Sequence, residues 1–170
     1  MKLIGALFIL LATTWAGLEA SRFLSERPRQ LRQLKSALQS LEAEIMYGHT
    51  PLSEASLHLA KQLSRPLSWL FERFSEKLAA GETSVKQAWD ESLGEVWKYT
   101  ALKSGELEVM KQFGETLGQY DRTAQQKQIR LALVHLEREE HDALEKKARY
   151  EKMVKSLGFL AGLLLVILLM

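Results

Sequence analysis

The sequence predicts an all-α fold. A bundle of about six helices is flanked by an N-terminal and a C-terminal transmembrane helix, with the last bundle helix running continuously into the C-terminal span. Three observations predict it. No residue is charged from Leu3 to Leu18 or from Ser156 to Met170, so nearly all the charge lies between two apolar ends. The centre repeats apolar residues at helical steps of three and four. No run of alternating β-branched residues occurs anywhere in the 170 residues.

The N-terminal run extends to the length of a span if Lys2 and Glu19 reach the interfaces. It also has the form of a secretory signal peptide, but one n-region charge, no small-x-small site before Ser21 and the basic residues Arg22, Arg27, Arg29, Arg32 and Lys35 immediately after it favour an uncleaved anchor. After Pro28, Leu31, Leu34, Leu38, Leu41 and Ile45 form an amphipathic stripe that ends near Tyr47-Gly48. Thr50-Pro51 offers a capping hydroxyl and a first-turn proline for a second helix with Leu52, Ala55, Leu59 and Leu63. Ser64-Arg65-Pro66 separates a third, with Leu67, Leu70, Phe71, Phe74 and Leu78 on one face and Gly81 as its stop. Ser84 to Gln87 has the form of a capping box for a fourth helix carrying Val85, Ala88, Trp89 and Leu93. Ser104 is placed to cap a fifth, with Leu107, Met110, Phe113 and Leu117, and Gly118 and Asp121 mark the next turn. From Arg122 no proline or loop signal interrupts the chain. Ile129, Leu133 and Leu136 face the bundle, and Glu137 to Lys152 reads as a solvated neck with Asp142–Lys146 and Glu145–Arg149 pairs.

The divisions that follow are 1–21, an N-terminal anchor; 22–145, a cytoplasmic bundle; 146–155, a basic helical neck; and 156–170, a C-terminal span. Lys and Arg concentrate on the inner side of both spans, which places the centre in the cytoplasm.

Function classes narrow by exclusion. The net charge of +2, with both signs interleaved, does not suit a nucleic-acid binder. With no cysteine, disulfides and thiol chemistry are excluded. No phosphate-cradling Gly-rich loop occurs, so the chain is not expected to hydrolyse nucleotide. His135, Glu137, Glu139, Glu140, His141 and Asp142 share one helix, but Arg138 stands where a di-iron motif needs glutamate and there is no second copy, so they read as a solvated face. No catalytic residue, metal ligand or cofactor site is expected, and the protein is not expected to be an enzyme. The candidate contact region is Glu42, Glu44, Tyr47 and His49, where two carboxylates and an aromatic meet at a helix end.

Residues carry the reading further. The stretches LIGALFILLATTWAG (3–17), ERPRQLRQL (26–34), LEAEIMYGHTPL (41–52) and GETLGQYD (114–121) resemble the stage III sporulation protein AB family of endospore-forming bacteria over the whole chain. More distantly, Gly48 with Pro51-Leu52 and Ala55, and Gly81 with Val85 and Ala88, are similar to turns of the F-type platform proteins of type II secretion and type IV pili. The resemblance implies a platform or adaptor subunit of the channel complex joining mother cell and forespore. It sits in the mother-cell membrane around the forespore and couples a secretion-type ATPase, the stage III sporulation protein AA, to the other membrane proteins of the same operon. Platform proteins carry two related helical domains, whereas this chain has one, which implies self-association as the source of the second. The alternative function is a static, membrane-tethered helical scaffold without ATPase coupling.

Overall fold

The computed structural model describes the backbone of residues 2–47, 50–81, 83–118 and 121–169, and the side chains of these residues other than 2–23, 122, 155 and 158–169. Six α-helices follow in order: α1 (Lys2–Tyr47), α2 (Leu52–Gln62), α3 (Leu67–Ala80), α4 (Val85–Val96), α5 (Ser104–Gly114) and α6 (Arg122–Leu169), with a 3₁₀ turn at Trp97–Tyr99. No strand occurs among the described residues.

The first and last helices set the architecture. Each is about 70 Å long at 1.5 Å per residue, and they lie side by side and antiparallel, since Arg27 meets Glu139 while Glu42 meets Gln126. The short helices form a chain of neighbours against this pair: α2 on α3, α3 on α4, α4 on α5 and α5 on α6, with α1 also touching α2 and α3.

The core gathers where α1 offers its stripe. Leu31, Leu34, Leu38 and Leu41 are fully buried, as are Leu70, Phe71, Phe74, Trp89, Met110, Ile129 and Leu136. Trp89 is its hub, meeting the rings of Phe71, Phe74 and Phe113 edge-on at centroid distances of 5.8, 4.9 and 5.5 Å and donating its indole N–H to the Met110 carbonyl at 2.7 Å. Gly114 makes that position possible, because a Cβ there would lie 2.1 Å from Trp89 Cδ1.

Several local expectations change. Pro28 does not start a helix; it lies inside α1, which runs unbroken from Lys2. Thr50 does not cap α2, whose N-terminal flank is Pro51 without a side-chain cap. Ser104 is the first residue of α5 rather than its cap, and Glu106 satisfies that end by accepting the Lys103 N–H at 2.7 Å. Ser84 does cap α4 by accepting the Gln87 N–H, and Gly81 does close α3 at φ 70°. Asp121 accepts the N–H groups of Thr123 and Ala124 at the start of α6.

The neck also differs. Ala143 is buried, Glu139 and Glu140 pair with Arg27, Arg32 and Lys35 of α1, and within the stretch Lys147 pairs with Glu151 while His141 Nδ1 lies 3.7 Å from Glu145.

The expectation of a transmembrane helix at each end is corrected. The two stretches form the start of α1 and the end of α6, and their side chains lie outside the described residues. Among the described residues no helix is long and apolar enough to cross a membrane. The uncharged runs are also short for a span: roughly 15 residues rise about 23 Å, against about 30 Å of hydrocarbon core.

Candidate functional site

The polar chemistry of the molecule concentrates along the seam between α1 and α6, in three steps. The innermost is a buried ion cluster. Arg27 is 6% exposed and donates through Nη2 to Glu106 and, at 2.7 Å, to Glu139. Glu106, 1% exposed, also accepts the Lys103 N–H. Beside it, Gln30 accepts the Ala101 N–H at 2.8 Å. One turn of α1 thus ties α6 and the loop entering α5 into one unit. A buried ion pair adds little net stability but is costly to break, since the orphaned charge stays in low dielectric.

Next along the seam, Glu140 accepts from Arg32 and Lys35, each at 3.0 Å. Burial pushes its carboxyl up, but the hydrogen bonds and charges of Lys35 and Arg32 outweigh burial and hold it below the usual carboxylate range.

The third step is the tip, where the contact residues expected from sequence lie. The structure turns Glu42 toward α6, where it accepts from Gln126 at 3.0 Å and lies 3.7 Å from Arg130. Glu44 is half-buried. Tyr47, on the last residue of α1, is 83% exposed. His49 lies outside the described residues. At the surface, then, the tip presents a free phenol beside a half-buried carboxylate, while the second carboxylate braces the seam.

Two features went unseen in the sequence. Arg27 read there as part of a basic flank, because its partners lie 79 and 112 positions away and no local pattern links them. The other is an aromatic edge: Trp69 and Tyr99 meet at 6.0 Å, Arg65 lies over the Trp69 ring, and the cleft beside them is bordered by Glu72, Glu76 and Glu95. Among the described residues no three His, Asp or Glu side chains converge as a metal-ligand group.

Comparison with known proteins agrees along the whole chain. Residues 2–170 match the stage III sporulation protein AB family. The chain is 61% identical over 170 residues to the stage III sporulation protein AB of Bacillus subtilis (strain 168), covering 100% of this chain and 99% of that one. A solved structure of a stage III sporulation protein AB matches with a TM-score of 0.70 at 60% identity, over 73% of this chain and 98% of the other. These relatives carry the name of a sporulation protein, and that name assigns no catalytic activity.

Proposed function

The chain belongs to the stage III sporulation protein AB family, and from that premise we propose that it is an adaptor of the mother cell–forespore channel complex, linking a secretion-type ATPase to the complex's other components at the membrane around the forespore. It works by binding rather than by catalysis. The observation that carries this reading is the braced α1–α6 pair. α1 and α6 are tied together at Arg27–Glu139, Arg32 and Lys35–Glu140, and Glu42–Gln126, over about 22 Å of their length, so in this reading the two helices move as one unit across that stretch. Tyr47 stands free at the end of α1, with Glu44 a helical turn before it. In this reading Tyr47 and Glu44 contact the ATPase, and Glu42 holds the tip in shape.

The test is direct binding of the full chain to the companion ATPase, the stage III sporulation protein AA. We expect saturable binding that weakens about tenfold, or about 1.4 kcal/mol, for Tyr47→Ala. If wild-type protein does not bind the ATPase while remaining folded, the static scaffold replaces the adaptor.

A further inference from the structure

Among the described residues one face of α6 remains uncovered, and its chemistry specifies what covers it. Ile129, Ala132 and Leu136 turn into the core. On the opposite side of the same turns, Lys127, Leu131, Val134 and Arg138 follow one another at steps of four, three and four, which places them in one row along the helix. Leu131 is 47% and Val134 65% exposed, so this outward row centres on two large apolar side chains. They border a shallow hollow of about 310 Å³ that Thr123, Gln126, Lys127 and Arg130 also line.

Charge along this stretch has one sign. Between Asp121 and Glu137 the sequence holds Arg122, Lys127 and Arg130 and no carboxylate. Arg130 leans toward Glu42 at 3.7 Å with its side chain 70% exposed, and Arg138 lies 4.0 Å from its neighbour Glu139 with its side chain 68% exposed. The row is thus apolar at its centre and cationic at its Lys127 end, while Arg138 at the other end stands beside Glu137 and Glu139.

We propose that this row is a docking face for an acidic amphipathic helix of a protein partner. The partner's apolar residues at i and i+3 or i+4 seat on Leu131 and Val134, and its Glu or Asp residues meet Lys127, Arg130 and Arg138. Helix-on-helix recognition of this kind reads apolar anchors at helical spacing, and flanking charges choose the partner. A nucleic-acid surface has no need of two leucine-like side chains at its centre, and a membrane surface asks for a broader apolar face than one pair. The proposal does not rest on ATPase binding at Tyr47; the row faces away from the core on a different helix.

The test titrates the full chain against a fluorescent helical peptide with Leu in heptad positions and Glu elsewhere, read by anisotropy, with a Lys-for-Glu peptide as counterpart. The acidic peptide is expected to bind and the basic one not. Lys127→Glu with Arg138→Glu is expected to weaken binding about tenfold, Leu131→Ser with Val134→Ser comparably, and Lys61→Glu with Lys111→Glu, a charge-matched change at exposed lysines elsewhere, not at all. All of these positions are at the surface, and circular dichroism verifies folding. Equal weakening by the Lys61 and Lys111 pair reduces the effect to general electrostatics and overturns the proposal. So does binding of phosphatidylglycerol vesicles or an oligonucleotide through Leu131 and Val134 where the acidic peptide fails to bind.

Discussion

Arg27 is the side chain on which the seam depends most. It is buried against two carboxylates from different helices, so Arg27→Met leaves Glu106 charged and without its cation in a nearly dry site. The expected loss is about 3–5 kcal/mol. Adding Glu106→Leu should recover part of it, because replacing both members of a buried pair by apolar groups is cheaper than removing one, while the lost acceptor for the Lys103 N–H and the unpaired Glu139 hold back the rest. Chemical denaturation of both single variants and the double checks this, and additive losses would contradict the pairing. Glycines make a second contrast. Gly114→Ala drives a methyl into Trp89 and is expected to cost about 1–3 kcal/mol, whereas Gly94→Ala, inside α4 with open space where the Cβ would lie, should stabilise by about 0.5–1 kcal/mol. The Gly114 to Asp121 motif was legible as a family signature but not as physics. Its reasons are three-dimensional: Gly114 clears room for Trp89, Gly118 takes φ 77° with Val85 against it, and Asp121 caps α6.

At the scale of elements, helix type and most boundaries followed from periodicity and breakers, since Gly81, Ser84 and the Ser64–Pro66 break act on their immediate neighbours. Pro28 misled because its reading was local too. A proline removes one hydrogen bond, and α1, packed along α6, runs through it without a break. The polar neck misled for the same reason: Glu139 and Glu140 look solvated in sequence, but both reach across to α1. That pairing makes the seam pH-dependent. The folded-state pKa of Glu140 is depressed, so its contribution is present above the ordinary carboxylate value and is lost as pH falls through the lower folded value. Melting temperature should therefore drop as pH falls below the ordinary carboxylate value, and Glu140→Gln should flatten part of that slope while costing about 1–2 kcal/mol near neutrality. An unchanged slope in the variant would remove Glu140 from the acid response.

For the whole molecule, the two proposed contacts lie on different surfaces: a phenol and carboxylate at the end of α1, and a cationic–apolar row on the outer side of α6. An adaptor needs two such faces, one for each thing it joins, and a rigid path between them, which the braced pair supplies. The sequence pointed to the tip through residue type and to the family through motif. It did not point to the α6 row, because Leu131 and Val134 look like core residues until the burial of Ile129, Ala132 and Leu136 shows which side faces inward. The most direct test of the adaptor account places a photoreactive amino acid at position 47 of the full chain in sporulating cells. The account predicts a crosslink to the companion ATPase that Glu44→Lys weakens. No ATPase adduct from position 47, together with one from a probe at Glu72 beside the aromatic cleft, would contradict it.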